Sequence, residues 1–98
     1  MEDIKEFIDM NVYKYELEIT EEQIIRLPFA AEILTIQMQG DKCCLWALVD
    51  PRHEFEDRTI CIRGTGHPIQ DGIRLKYIST FQIPHLGLVF HSFEKKNY

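Results

Sequence analysis

Apolar and polar residues alternate with a period of two over much of this chain, and this alternation restricts the chain to β-structure. Successive side chains of a strand point to opposite faces, so the alternation predicts strands that each have one buried face. The pattern is clearest near the N-terminus, where apolar residues are interleaved with charged ones. The apolar residues there are Tyr13, Tyr15, Leu17 and Ile19, and the charged residues are Lys14, Glu16 and Glu18.

Turn-forming residues separate the alternating segments. Pro28, Gly40 and Gly64 each follow such a segment, and Gly87 precedes the last one. Short strands with turn residues between them are typical of antiparallel proteins. The predicted strands are residues 12–19, 24–27, 32–39, 42–49, 58–63, 75–81 and 88–93. We therefore predict an all-β fold, mainly antiparallel, as a small β-sandwich or partly open barrel of six to eight strands.

The length of 98 residues allows one domain. We place this β-rich domain at residues 12–94, after an N-terminal extension over residues 1–11 and before a polar tail over residues 95–98. Ile4 and Ile8 of the extension are one helical turn apart. A short amphipathic helix is therefore one interpretation of the extension.

Charge and cysteine content limit the class of protein. Sixteen acidic residues against eleven basic ones give a net charge of −5, which opposes general binding to nucleic acid or to an anionic membrane. No uncharged run approaches the ~18 residues that span a bilayer, and the acidic start lacks the basic region of a signal peptide. The three cysteines, Cys43, Cys44 and Cys61, form no C-x-x-C pair. We expect a cytoplasmic protein with reduced thiols.

Two glycines within residues 63–68 permit two interpretations. Successive backbone N–H groups around Gly64 and Gly66 are able to form an anion-binding nest. Alternatively, the glycines allow a positive φ in a turn that Pro68 stiffens. A third glycine is absent and no helix is predicted to follow, so neither the dinucleotide fingerprint nor a P-loop is present.

For the first interpretation we predict a set of ligand-binding residues. Cationic and hydroxyl side chains would contact a phosphate, and an aromatic ring would stack on a base. The set is Arg63, Gly64, Thr65, Gly66, His67 and Arg74 for the anion, with Trp46 or Tyr77 for the base. Core packing is the alternative use of the aromatic residues. No cofactor is predicted.

No catalytic or metal-binding motif is recognisable. The cysteines and histidines lack zinc-ligand spacing, although a site assembled from distant strands remains open. The pairs closest to a nucleophile with a base, His91 with Ser92 and His67 with Asp71, imply no geometry by their spacing alone. We therefore predict a non-enzymatic protein with no catalytic residues and no metal.

The predicted strand Lys42–Val49 is apolar on both faces. One face carries Cys43, Leu45, Ala47 and Val49, and the other carries Cys44, Trp46 and Leu48. Such a strand is expected at the centre of a sheet that is covered on both sides. Because a second copy could provide one of the two covers, we predict a homo-oligomer.

Three stretches of the chain together resemble a known family. They are residues 13–17 with 19–23, residues 44–51, and residues 64–69 with 77–82, which read YKYEL with ITEEQ, CLWALVDP, and GTGHPI with YISTFQ. Within residues 12–94 the chain resembles a family of small proteins of unknown function that occur in bacteriophages and prophages. The resemblance implies a mostly β fold and a phage genetic context, hence the host-cell cytoplasm, and it supplies no catalytic residues.

The resemblance and the lack of catalytic motifs lead to one functional expectation and two alternatives. We expect a phage accessory protein that acts by binding, as a counter-defence factor that sequesters a nucleotide signal or inhibits a host defence protein. A structural or assembly component of a phage particle is the first alternative. An enzyme that acts on a small phosphorylated substrate is the second.

Overall fold

Seven antiparallel strands build two sheets, which pack as a small all-β sandwich and confirm the predicted fold class. The structure is a computed structural model that describes residues 9–70 and 72–96. The helix considered for the extension falls on residues outside these ranges. The strands are β1 (Asn11–Leu17), β2 (Glu22–Pro28), β3 (Glu32–Gln39), β4 (Lys42–Val49), β5 (Phe55–Gly64), β6 (Leu75–Ile83) and β7 (Leu88–Lys95).

Sheet A contains three strands in the order β1-β4-β3, and sheet B contains four in the order β2-β5-β7-β6. The two sheets approach each other closely along β3 and β6. There the buried hydroxyl of Ser79 accepts a hydrogen bond from the N–H of Ile36 (3.1 Å) and donates to its C=O (2.6 Å). The sandwich is thus closed along β3 and β6, whereas β1 and β2 lie at its other side.

The core lies between the sheets and follows from the period-two pattern. The largest fully buried apolar side chains are Phe81, Leu27, Ile36, Leu45 and Ile60, which come from five different strands. The ring of Phe81 stacks on that of Phe90 with centroids 5.7 Å apart. Burial of such side chains stabilises the fold by about 1.5 to 3 kcal/mol each.

Several strand boundaries differ from the sequence expectation by one to three residues, and at β1 and β5 the structure shows the cause. β1 ends at Leu17, two residues earlier than predicted, because the side-chain amide of Gln23 pairs with both backbone polar groups of Glu18. β5 begins at Phe55, three residues earlier than predicted, because the start of this strand pairs with the end of β2 at Pro28.

The β3–β4 hairpin is formed as predicted around Gly40 and Asp41. Gly40 has a φ of 61°, which fits the first central position of a type II′ turn. β4 is the central strand of sheet A, as its two apolar faces predict. On its outer face, Trp46 and Leu48 are partly exposed, whereas Cys44 is fully buried.

The described helices are two 3₁₀ turns, Gly72–Arg74 and Pro84–Leu86. In this part of the chain no helix is long and apolar enough to span a membrane.

Candidate functional site

The predicted ligand-binding residues from Arg63 to His67 lie at the end of β5 and in the turn that follows it. The N–H of His67 donates to the C=O of Gly64 (3.1 Å), and Gly66 has a φ of 89°. This geometry fits a type II turn, which requires glycine at its third position. The N–H of Thr65 donates to the C=O of Val89 (3.3 Å). Two of the N–H groups considered for an anion nest are therefore used inside the protein.

Arg63 and His67 line one small cleft, together with Glu21, Pro68 and Gln70. Its volume of about 230 Å³ is below the ~300 to 1,000 Å³ typical of sites for drug-sized ligands. The guanidinium of Arg63 donates to the backbone C=O of Glu21. The cleft therefore has room for a phosphate-sized anion, but one N–H donor of the Arg63 guanidinium is already used in the hydrogen bond to Glu21.

A chain of hydrogen bonds links Thr65 to Tyr77 across the outer face of sheet B. The Oγ1 of Thr65 lies 2.8 Å from Nε2 of His91, and Nδ1 of His91 lies 3.0 Å from the Oγ1 of Thr80. The same Thr80 oxygen is 2.7 Å from the Tyr77 hydroxyl, and the ring of Tyr77 packs edge-on against Phe93. Tyr77 therefore lies on the same side of the molecule as the turn. The link between them is His91, which the sequence analysis did not predict as a site residue.

Arg74 and Trp46 lie apart from the other predicted site residues. Arg63 pairs with His91 of β7, and the C=O of Arg74 accepts a hydrogen bond from the N–H of Lys96, five residues further along the chain. At a rise of ~3.3 Å per residue, the two arginines are displaced by about 16 Å along the strand direction. Trp46 lies on the outer face of sheet A. The structure therefore groups the turn residues with Tyr77 and separates Arg74 and Trp46 from them.

The histidine–serine pair considered for catalysis is split between two faces of β7. The Oγ of Ser92 is buried and donates to the C=O of Ser79 (3.1 Å), whereas His91 contacts the two threonine hydroxyls on the outer face. Asp71, considered with His67, lies outside the described residues. Within residues 9–70 and 72–96, no three His, Cys, Asp or Glu side chains are grouped as a metal site would require.

A second candidate surface lies at the opposite end of β5. We call Phe29, His53 and Phe55, with Arg26, the aromatic tip. Phe29 and Phe55 are 58% and 59% exposed, and with His53 and Glu54 they line a hollow of about 340 Å³. The guanidinium of Arg26 lies 5.7 Å from the centre of the Phe55 ring, a cation–π contact. The tip combines exposed rings with a cation, at about 26 Å along β5 from Arg63.

Hydrogen bonds hold the backbone beneath the aromatic tip. The N–H of Phe29 donates to the C=O of Glu54 (2.7 Å), and the Phe29 carbonyl oxygen lies 2.9 Å from Nδ1 of His53. The N–H of Ala30, whose φ is 63°, donates to the carboxylate of Glu56 (2.8 Å). The Arg58 guanidinium donates to the C=O of Ala31 (2.9 Å). These hydrogen bonds fix the backbone of the corner that carries Phe29.

The loop that carries His53 is fixed by Asp50 and Arg52. Both carboxylate oxygens of Asp50 accept from the Arg52 guanidinium, at 2.9 and 2.7 Å, and one accepts from the Arg52 N–H. These hydrogen bonds hold the pKa of Asp50 well below its usual range. The Nε2 of His53 lies 3.6 Å from the same carboxylate. Asp50 therefore holds the start of the loop, and the hydrogen bond from Phe29 to the C=O of Glu54 holds its end.

The sequence contained only a weak signal for the aromatic tip. Phe55 is the one apolar residue in the polar stretch 50–57, and Phe29 follows a proline that ends a strand. Each is unremarkable alone, because single exposed apolar residues are normal on protein surfaces. The tip arises because Pro28 pairs with Phe55, which brings two loops together.

Comparison with known proteins identifies a family without an assigned activity. A family model described as "Domain of unknown function (DUF7352)" matches residues 9–98. No curated protein and no solved structure matches the chain.

Proposed function

The chain belongs to the DUF7352 family, whose function is unknown, and from that premise we propose that it acts by binding another protein through the aromatic tip. The observation that carries this proposal is the exposure of Phe29 and Phe55, each more than half accessible, on a backbone fixed by hydrogen bonds. Aromatic residues and arginine are enriched in the parts of interfaces that contribute most to affinity.

Rigidity of the tip supports this assignment. Binding costs less conformational entropy when the contacting side chains are already held in place. The hydrogen bonds of Glu56 and Arg58 to the Phe29–Ala31 corner order the backbone there, which removes part of that cost. The partner is therefore a folded protein that inserts an apolar side chain into the hollow between Phe29 and Phe55.

The resemblance to bacteriophage and prophage proteins adds a finer proposal. In that context the partner is a host defence protein, and this chain is a counter-defence factor that blocks it. The support for this step is the similarity of the three sequence stretches, and the tip supplies the contact surface.

One observation favours a second candidate, the sequestration of a small phosphorylated ligand. Arg63 and His67 line the same cleft, and a guanidinium with an imidazole is a common pair for a phosphate. Native mass spectrometry of freshly purified protein tests this candidate directly. An added mass that disappears in the double variant Arg63→Ala/His67→Ala would support it.

The test of the aromatic tip compares three forms of the protein. The wild type is used to capture a partner from a lysate of the cells that express the gene, and the partner is then purified. We expect Phe29→Ala/Phe55→Ala to weaken its binding about a hundredfold in calorimetry, since each ring is expected to be a hot spot. Both rings are exposed, so the fold should persist, which circular dichroism checks.

The variant Arg63→Ala/His67→Ala is the matched control, because it removes two side chains at the opposite end of β5. It should bind the partner as the wild type does. Unchanged affinity in the tip variant, or loss of affinity only in the Arg63 variant, contradicts the proposal. Failure of the wild type to retain any partner above an unrelated control protein also contradicts it.

A further inference from the structure

Within residues 9–70 and 72–96, no strand pairs with the edge of β1 that faces away from β4, and this free edge differs from the other sheet edges of the sandwich. Exposed edge strands are commonly protected against pairing by bulges, prolines or charged side chains. β3 has a register shift between Ile33 and Thr35, and β6 has one between Tyr77 and Ser79. β2 ends in Pro28. β1 contains no proline and pairs with β4 in unbroken register from Asn11 to Leu17.

Lys14 is the residue of β1 best suited to protect its edge, but its ammonium group is directed elsewhere. The Nζ of Lys14 lies 2.7 Å from the Oε1 of Gln39. Gln39 is on β3, which is on the far side of β4 from β1. The side chain therefore crosses sheet A and leaves the free edge of β1 uncovered.

Apolar side chains remain exposed on both faces of β1. Val12 on the outer face is 57% exposed, and Tyr13 on the inner face is 40% exposed. Tyr15, on the same face as Tyr13, is only partly buried although it packs against the core. An added strand would cover these side chains as well as pair the backbone groups of the edge.

The sequence of β1 favours a second copy of itself as the added strand. In an antiparallel pair, opposing residues lie on the same face, so the outer residues Val12, Lys14 and Glu16 must oppose one another. Pairing centred on Lys14 sets two lysines together, and pairing centred on Glu16 sets two glutamates together. Pairing centred on Tyr15 sets Lys14 opposite Glu16 twice, and in the dimer the exposed Lys14 ammonium would leave Gln39 for the Glu16 carboxylate of the second copy.

The same register is favourable on the inner face. It places Tyr13 opposite Leu17 of the second copy and the two Tyr15 rings opposite each other, and aromatic pairs of this kind stabilise sheets. We propose that two copies of the chain associate by antiparallel pairing of β1 with β1 about Tyr15, which joins their three-stranded sheets into one six-stranded sheet. The proposal uses neither the aromatic tip nor the Arg63 cleft.

Charge swaps on the outer face of β1 test this register. Sedimentation equilibrium of the full chain should detect a dimer. We expect Lys14→Glu and Glu16→Lys each to raise the dissociation constant of the dimer about tenfold or more. Each substitution turns two attractive charge pairs into repulsive ones. The double variant Lys14→Glu/Glu16→Lys restores the opposite charges and should return the constant to near the wild-type value. Lys42→Glu, an exposed change of equal charge on β4, should have no effect.

Hydrogen exchange at several protein concentrations provides the second measurement. The amides of residues 12–16 that face the free edge should become more protected as the dimer forms. A protein that is monomeric at all concentrations overturns the proposal. So does a dimer that is insensitive to both single swaps, a double variant that is not restored, or β1 amides whose exchange is independent of concentration.

Discussion

At the scale of single residues, the hydroxyl of Ser79 links the two sheets. It accepts a hydrogen bond from the N–H of Ile36 on β3 and donates one to the C=O of the same residue. It also lies 2.8 Å from the hydroxyl of Ser92 on β7. Ser79 is in phase with the buried Phe81 and Ile83, and the register shift before it leaves Tyr77 on the outer face. A buried serine thus satisfies backbone groups of a strand in the other sheet.

Replacement of Ser79 by alanine should destabilise the protein by about 1 to 3 kcal/mol, because it leaves the buried N–H of Ile36 without its partner. Urea denaturation measures the free energy of unfolding. Thr80→Ala is the control, since Thr80 is exposed and its loss should cost about 0.5 kcal/mol or less. Equal losses of unfolding free energy in the two variants would mean that the hydrogen bonds of Ser79 between the sheets do not stabilise the fold.

At the scale of elements, hydrogen bonds hold the two connections that border the candidate sites. In the β5–β6 turn, Gly66 has the positive φ that the second sequence interpretation expected of both glycines, whereas Gly64 does not. Two N–H groups of the turn form internal hydrogen bonds. The β4–β5 loop is held by the Asp50–Arg52 pair and supports His53 of the aromatic tip. The strands supply the core, and both candidate sites lie where the ends of β5 meet these connections.

The β4–β5 loop should make stability depend on pH in the acid range. The pKa of Asp50 is lowered by its hydrogen bonds to Arg52, so its folded value lies below the unfolded value of about 3.9. The carboxylate therefore contributes stability above about pH 4, and this contribution is lost as the pH falls further. Urea denaturation from neutral to acid pH should show a smaller acid loss for Asp50→Asn.

The control for the Asp50 experiment is Asp57→Asn. Asp57 forms an ion pair with Arg26 in which both side chains are about two-thirds exposed, and such pairs contribute little. The control should follow the acid profile of the wild type. Parallel profiles for the wild type and Asp50→Asn would contradict the assignment.

At the scale of the whole molecule, the sandwich is flat and closed on one side. Its principal extents are 52 × 33 × 20 Å, and its radius of gyration of 15.1 Å exceeds the ~13 Å expected for a chain of this length. The sheets share one core and meet along β3 and β6. The opposite side, with β1 and β2, is where the proposed dimer would extend sheet A.

One shared core predicts a single unfolding transition. Trp46 is the one tryptophan of the chain and lies in sheet A, so its fluorescence reports that sheet, whereas far-ultraviolet circular dichroism reports both sheets. We expect the two signals to give the same midpoint in urea, as two-state unfolding requires. Separate midpoints would mean that the sheets unfold independently.

Local pattern was sufficient to predict the elements. The alternation of Tyr13, Tyr15 and Leu17 and the turn at Gly40 depend on a few neighbouring residues, since strand periodicity and turn conformation are properties of short segments. The seven strands and the all-β class followed from them. Even the early start of β5 is an error of three residues, which is common for strand boundaries inferred from sequence.

The sequence by itself therefore determined the strands, their turns and the residues able to form a core. The tertiary structure decided which strands are neighbours, and with that which side chains meet. It brought Phe29 to Phe55, joined Thr65 to Tyr77 through His91, and placed Arg74 and Trp46 elsewhere. The physical reason is that periodicity is encoded locally, whereas contacts between distant strands depend on register and sheet order, which no single segment contains.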